Sequence, residues 1–399
     1  MKTRAGEVIV PGFLTGGIEA GIKEAGKKDL ALLFSEVPAA AAGVFTKNAF
    51  KAAPVLLDIK RVRKGVAQAV VINSGNANAA TGRQGYDDAR EMAAAVARRI
   101  GIREELVLVA STGVIGKRLP LEKIVDRIDA LVGNLRPSGI EDAEEAIMTT
   151  DSYPKIECRK VALESRTVTI CGIAKGAGMI EPHLATMLSF VLTDAAIGPD
   201  CLKPLIRRAV ERSFNCISVD GCMSTNDTVI ILANGKAGNR PLTGSSKALP
   251  RFERALTDCL ESLARAIVRD GEGATKVIEV VVQEARSENE ARKVAYSVAN
   301  SNLVKTAFYG KDPNWGRVVA AVGAAGVPVP AESVELYFDD LLLFRRGAGV
   351  PAGAERLKSI MAQPQVKVTV KIGMGLKSAR IFCSDLTLDY VRINAHYTT

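Results

Sequence analysis

The stretch KGAGMIEPHLATMLSFVLTD, residues 175–194, joins a loop of small residues to an apolar run. The small residues at 176–178 allow unusual backbone geometry and the close approach of another group. Pro182 stiffens the chain after them, and the run at 187–192 is typical of a buried strand. Thr186 therefore stands at the start of a predicted strand with a loop before it. On these residues alone, an ordinary structural threonine is the favoured interpretation.

Working outward, strands and helices alternate along the rest of the chain. Apolar or alternating runs predict strands at 107–110, 277–282 and 366–372. Helical spacing of apolar residues predicts helices at 87–100, 251–268 and 289–307. The pattern predicts an α/β fold. A Pro-, Gly- and Ser-containing stretch at 239–250 is either a surface loop or a domain boundary, and the sequence does not decide between them.

Composition narrows the class of protein. The net charge is +9, but Lys and Arg are scattered and aromatic residues make up only 5%, so stacking platforms for nucleic-acid bases are scarce. The N-terminus lacks an apolar signal core, and no run reaches the ~18 apolar residues of a membrane helix. These features predict a cytoplasmic globular enzyme that binds neither nucleic acid nor membrane.

Cysteine and histidine usage excludes several kinds of site. The seven cysteines are odd in number and form no Cys-x-x-Cys pair, which argues against a disulfide framework or a zinc knuckle and for a reducing compartment. Only His183 and His396 are present, so a His-rich metal site is excluded and no metal is expected.

Seven short blocks, in order along nearly the whole chain, carry a family resemblance together with 175–194. They are NSGNANA at 73–79, ASTGVIG at 110–116, AIMTTD at 146–151, STNDT at 224–228, VKTA at 304–307, DPNWGR at 312–317 and INAHYTT at 393–399. The chain resembles the ornithine acetyltransferases, or bifunctional glutamate N-acetyltransferases, of arginine biosynthesis. One departure is the pair Cys222-Met223, where the family often has Asp-Thr.

The resemblance implies an autocatalytic cut between Ala185 and Thr186. It implies an alpha chain, 1–185, that carries the oxyanion-hole donors, and a beta chain, 186–399, that begins with the nucleophile. The two chains are expected to stay packed as one protomer with an αββα-type layered arrangement and mixed sheets. Protomers are expected to pair as an α2β2 heterotetramer.

The implied chemistry needs no cofactor. A free α-amino group has a pKa of ~7.7–8.0, against ~10.4 for lysine, so the amine of Thr186 can accept its own hydroxyl proton. The acetyl group of N-acetylornithine moves to the Thr186 oxygen and then to glutamate, giving ornithine and N-acetylglutamate. The sequence does not tell whether acetyl-CoA is also accepted as a donor. His183 is not needed as a general base.

The resemblance also implies a set of site residues. Thr112 and Gly113 match the oxyanion-hole donors, and an ordinary turn is the alternative for this pair. The implied substrate contacts are Thr149 or Thr150, Lys175, Thr186, Glu272, Asn394 and Thr399. Lys175 suits a carboxylate and Glu272 an ammonium group, and the sequence does not choose between the two threonines.

Two other interpretations stay open. The same nucleophile would serve a self-activated N-terminal-nucleophile amidohydrolase or aminopeptidase, and a binding protein with a vestigial site is the third possibility. Trp315 is interpreted as a structural corner. The apolar side of the C-terminal tail, with Val391, Ile393 and Tyr397, is expected to pack against the body and offset the entropy of ordering the tail.

Overall fold

A computed structural model describes residues 9–164, 166–181 and 187–396. Over these ranges the strands are β1 (Phe13–Ile18), β2 (Leu30–Phe45), β3 (Val66–Asn76), β4 (Val107–Val114), β5 (Ile156–Leu163), β6 (Arg166–Lys175), β7 (Leu188–Thr193), β8 (Ile217–Ser218), β9 (Thr228–Ala233), β10 (Val277–Ala285), β11 (Glu335–Phe338), β12 (Leu341–Arg345), β13 (Ala348–Gly349), β14 (Gln365–Lys371) and β15 (Lys377–Ser384).

Helices lie between most of these strands. They are α1 (Ala53–Val62), α2 (Gly82–Ile100), α3 (Leu121–Val125), α4 (Ile128–Gly133), α5 (Ile140–Ile147), α6 (Pro199–Arg212), α7 (Leu249–Arg269), α8 (Glu288–Ala299), α9 (Asn302–Tyr309), α10 (Trp315–Gly323), α11 (Ala354–Ala362) and α12 (Leu388–His396). None of the helices in these ranges is long and apolar enough to cross a membrane.

The strands form two mixed sheets. The first has the order β4-β3-β2-β9-β7-β6-β5, with β1 paired to β2, and its β3–β4 and β7–β9 pairs are parallel. The second has the order β13-β12-β11-β14-β10-β15-β8, with parallel β10–β14 and β15–β8 pairs. The predicted α/β fold with mixed sheets is confirmed.

Helix α7 links the two sheets. Its apolar stripe, which includes Leu256, Leu260 and Leu263, is fully buried. The same hydrophobic cluster contains Val191 of the first sheet and Phe382 of the second. Because one helix buries its apolar face against strands of both sheets, both sheets contribute to this hydrophobic cluster, and each sheet also has a further cluster of its own.

The stretch at 239–250 is a loop that packs on this cluster through buried Leu242. It connects β9 of the first sheet with α7, and the Leu242 amide donates to the Ala196 carbonyl at 2.9 Å. Asn239 adds a side-chain bond to the Ala196 amide at 2.8 Å. The loop interpretation is therefore correct, and this stretch does not separate independent units.

One sequence expectation was wrong, and one contact was not anticipated. The single helix at 289–307 is divided into α8 and α9, because the hydroxyl of Ser301 accepts from the Val304 amide and starts a new helix. The unanticipated contact is a single cross-strand disulfide between Cys158 and Cys171; one pair is not the disulfide framework that the cysteine count argued against. These residues stand directly opposite each other in the β5–β6 register, a relation that cysteine spacing cannot show.

Candidate active site

The floor of the site is the point where parallel strands β3 and β4 end together. Gly113 is paired with Gly75, and its backbone φ of +132° lies in a region that favours glycine. A Cβ atom at Gly113 would lie 2.3 Å from the Gly75 carbonyl carbon. Only glycine therefore lets the two strands approach this closely at the position after Thr112.

A buried polar network fixes these strand ends. The amide group of Asn226 donates to the carbonyls of Ala77 at 2.6 Å and Ser111 at 2.8 Å. The Ser111 hydroxyl donates to the side chain of Asn73 at 2.6 Å. Asn226 was not predicted as a site residue, although it stands in the 224–228 block that carried the resemblance. Its role depends on contacts between residues far apart in sequence.

Lys175, the last residue of β6, reaches across to Thr112 and Thr149. Its Nζ donates to the Thr149 hydroxyl at 2.6 Å and to the Thr112 hydroxyl at 3.3 Å, and the side chain is buried. Burial lowers the pKa of the Lys175 ammonium, and nearby Asp151 offsets part of that effect. Thr149, rather than Thr150, is the partner of Lys175, although both line the site.

Behind Lys175 lies a buried cluster of charges. Lys155 Nζ contacts Asp151 Oδ1 at 2.7 Å and Asp270 Oδ2 at 2.5 Å, and Asp151 Oδ2 is 3.9 Å from Lys175 Nζ. Although burial opposes ionisation, Lys175 and Lys155 hold the pKa of Asp151 at about 2. The cluster ties the end of α7 to the segment after α5 and keeps Lys175 beside an ionised carboxylate.

The opposite wall carries negative charge. Glu272 follows α7, and its amide donates to the Ala177 carbonyl at 2.9 Å. A Cβ on Gly178 would lie 2.5 Å from the Glu272 carboxylate, so a larger residue there would displace the carboxylate from its place beside the loop. Asn394 of α12 donates to Glu272 Oε2 at 2.7 Å. A carboxylate fixed in this way can accept an ammonium group.

A second carboxylate, not predicted from the sequence, lies on the same side. Asp220 accepts from the amides of Met179 at 2.6 Å and Ile180 at 2.8 Å, and Tyr390 donates to it at 3.3 Å. Cys222, half of the departure from the family pattern, lines the pocket next to it. No local sequence signal marks these residues, because the pocket wall forms only when α12 packs beside the turn after β8.

These groups line one pocket with an empty volume of about 750 Å³. Its lining includes Ala77, Thr112, Gly113, Ile115, Thr149, Thr150, Lys175, Gly178, Met179, Asp220, Cys222, Ser224, Asn226, Glu272, Tyr390 and Asn394. The structure thus brings together every predicted site residue that it describes. His183, Ala185, Thr186 and Thr399 lie outside the described residues.

The expected packing of the C-terminal tail was wrong in one respect. Val391 is 59% exposed, and α12 has no buried residue. Tyr397 lies outside the described residues. Ile393 is only half-buried, and the described part of the tail is held at the pocket by the polar contacts of Asn394 and Tyr390.

Trp315 has a structural role, as the sequence indicated. It begins α10, where Asn314 caps the helix by accepting from the Arg317 amide at 3.2 Å. Its ring packs against Phe344 with centroids 5.6 Å apart. Trp315 is absent from the pocket lining, so it stabilises the second sheet rather than the site.

The fold and pocket define an α/β protein with a polar site, cationic at one wall and anionic at the other, suited to small zwitterionic molecules. The ArgJ family model matches residues 14–399, and the chain belongs to this family.

Named relatives span the whole chain. The arginine biosynthesis bifunctional protein ArgJ of Geobacter sulfurreducens is 51% identical over 98% of this chain and 100% of its own length. The protein of the same name from Symbiobacterium thermophilum is 49% identical, with complete coverage of both chains. A solved chain of the Bacillus halodurans protein is 40% identical, with a TM-score of 0.52, and covers 53% of this chain and 100% of its own length.

Proposed function

We propose that this chain is the acetyltransferase of arginine biosynthesis that moves the acetyl group of N-acetylornithine to glutamate through an acetyl ester on Thr186. Ornithine and N-acetylglutamate are the products. The observation that carries the proposal is the convergence of Thr112, Gly113, Lys175 and Glu272 in one pocket of a chain that belongs to the ArgJ family over nearly its full length.

The charges of the pocket fit this pair of substrates. Both are amino acids with at least one carboxylate, and ornithine also carries ammonium groups. The Lys175 ammonium faces the pocket from one wall and the Glu272 carboxylate from the other. A substrate carboxylate is proposed to bind at Lys175 and Thr149, and a substrate ammonium group at Glu272.

Acyl transfer passes through a tetrahedral oxyanion, which needs donors that are already in place. Thr112 and Gly113 are proposed to supply them, because the β3–β4 register holds both at the pocket floor. Losing one such donor typically costs ~10²–10³ in rate. No cofactor and no metal takes part in this scheme, and acetyl-CoA remains a possible alternative donor.

The sheet topology explains why chains cut between Ala185 and Thr186 would stay together. Strand β7, after the proposed cut, pairs with β6 before it, in a register that places Leu188 opposite Lys175. On its other side β7 pairs with β9. The proposed alpha and beta chains therefore share one hydrogen-bonded sheet and one core. Cleaved protomers are proposed to pair as α2β2 in the cytoplasm.

The test is an acetyl-transfer assay on purified wild-type protein with Thr186→Ala as the control. Three mixtures are compared: acetylornithine with glutamate, acetylornithine alone, and acetyl-CoA with glutamate. We expect N-acetylglutamate in the first mixture for the wild type only. Release of acetate without transfer would instead identify an amidohydrolase, and the third mixture shows whether acetyl-CoA is a donor.

A further inference from the structure

Asp227 accepts a hydrogen bond from the amide of Met187, the residue that directly follows Thr186. It precedes β9, and the parallel β7–β9 register places Leu188 opposite Thr228. Asp227 Oδ1 accepts from the Met187 amide at 3.2 Å, and the Thr228 amide donates to the Met187 carbonyl at 3.1 Å. The carbonyl carbon of Thr186 is bonded to that same Met187 nitrogen.

The second carboxyl oxygen of Asp227, Oδ2, makes no structural hydrogen bond to the described residues. Asp227 is fully buried, and its Oδ2 has no hydrogen-bond partner among the described residues. The neighbouring hydroxyl of Thr46 already donates to the Ser224 carbonyl at 2.8 Å. A buried carboxyl oxygen without a partner destabilises the folded chain, because its lost hydration is not replaced. A role in proton transfer would explain why the chain keeps this buried oxygen without a partner.

The electrostatic surroundings of Asp227 favour a proton-holding group. Burial raises the pKa of Asp227 well above its usual range, and the Met187 amide, the nearby Thr46 hydroxyl and the Lys175 ammonium on β6 partly oppose this. Among the described residues, Lys175 is the charged group that acts on it. A carboxyl group in such a site loses its proton only at a higher pH than usual, and its ionised form readily accepts a proton.

Self-cleavage poses a problem that the proposed transfer mechanism does not solve. In the intact chain the Thr186 nitrogen belongs to a peptide bond, so the free amine that serves as base during transfer does not yet exist. A different group must accept the Thr186 hydroxyl proton. A proton must also reach the Thr186 nitrogen when its bond to Ala185 breaks.

We propose that Asp227 carries the proton from the Thr186 hydroxyl to the Thr186 nitrogen during self-cleavage. This inference rests on the proposed function. From the Met187 nitrogen held by Asp227, the Thr186 nitrogen is three bonds away and the hydroxyl oxygen is four. Covalent connection therefore keeps both atoms within a few bonds of the amide that Asp227 holds, which is the reason for assigning both proton transfers to one carboxyl group.

The proposed step conserves atoms and charge. The Thr186 oxygen attacks the Ala185 carbonyl carbon while its proton passes to Asp227 Oδ2. The carbon–nitrogen bond then breaks as Asp227 returns that proton to the Thr186 nitrogen, leaving an ester and a free amine. Water hydrolyses the ester to the Ala185 carboxylate and the Thr186 hydroxyl, the released proton passes to the free Thr186 amine, and Asp227 ends as it began.

The test is a cell-free translation of the full chain, labelled briefly and chased at several pH values, with cleavage followed by gel. Asp227→Asn keeps an oxygen for the Met187 amide but cannot carry the proton, so we expect cleavage to slow by ~10²-fold or more. Glu144→Gln is the matched control. Glu144 is also buried, accepts from one backbone amide (Lys155) and has an unpartnered second oxygen, but it lies on α5.

The pH profile separates proton transfer from a structural effect. The wild-type cleavage rate should rise with pH through an ionisation above the usual aspartate range, and Asp227→Asn should lose that rise. His183→Ala should keep it. A flat wild-type profile would overturn the inference even if Asp227→Asn failed to fold.

Two further outcomes also overturn it. The first is cleavage of Asp227→Asn at the wild-type rate; the second is a pH-dependent rise that disappears in His183→Ala and persists in Asp227→Asn. If the wild type itself stays uncut yet folded, the proposed function fails. If the wild type cleaves and Asp227→Asn cleaves equally well, the failure belongs to this inference alone.

Discussion

Gly113→Ala is the sharpest single perturbation of the pocket floor. A Cβ at this position would stand 2.3 Å from the Gly75 carbonyl carbon, where ordinary contacts begin near 3.4 Å. The end of β4 must therefore move by about 1 Å, and a displacement of that size can cost ~10²-fold in rate. The atoms in the way are backbone, so a side-chain rotation cannot relieve the clash.

We expect kcat for acetyl transfer to fall by ~10²–10³-fold, the usual cost of losing one oxyanion donor. KM should change little, because Lys175 and Glu272 stay in place. Self-cleavage should slow as well, since it passes through a similar oxyanion. The free energy of unfolding should fall by ~1–3 kcal/mol, as in other overpacked sites.

Gly101→Ala is the matched control. Gly101 also has a positive φ, +83°, but nothing lies within 4 Å of its added Cβ. It should lose ~1 kcal/mol of stability through backbone strain and keep its kcat. The assay is steady-state transfer from acetylornithine to glutamate beside thermal unfolding. A folded Gly113→Ala protein with kcat close to wild type would refute the assignment of the β3–β4 junction to oxyanion stabilisation.

Other predictions address the remaining walls and the tail. Lys175→Met should fold, because Asp151 keeps Lys155 at 2.7 Å, but steady-state kinetics should show KM for glutamate raised by about tenfold or more. Burial raises the pKa of Glu144 from 4.5 to about 8; the folded chain then holds a proton that the unfolded chain releases, so stability falls as pH rises through this window. Thermal unfolding should show that the stability of Glu144→Gln rises relative to that of the wild type as the pH approaches about 8. Deleting 394–399 should leave self-cleavage intact but raise KM in the transfer assay.

The sequence predicted the elements whose pattern is local. The alternating residues at 366–372 lie in β14, and the apolar stripe at 251–268 lies in α7. Both could be predicted because the repeat of apolar residues is visible among residues close together in sequence. The Ser301 cap that divides 289–307 is also a local signal, and the helical period on both sides of it concealed the break.

Contacts across sheets and between distant segments could not be predicted in this way. The Cys158–Cys171 bond depends on strand register, and the place of Asp220 in the pocket depends on how α12 packs. Lys175 and Glu272 were placed in one site by resemblance rather than by any pattern between them. The fold supplies the physical reason, since the Glu272 amide is bonded to the loop that follows Lys175.

The central claim is that Thr186 carries the acetyl group, and intact-mass analysis tests it most directly. Wild-type protein is mixed with acetylornithine in the absence of glutamate, quenched in acid and analysed under denaturing conditions. We expect two chains, 1–185 and 186–399, with one acetyl mass on the second, mapped by fragmentation to Thr186 and lost when glutamate is added before the quench. An uncut chain that still transfers acetyl, or an acetyl group on any other residue, would contradict the account.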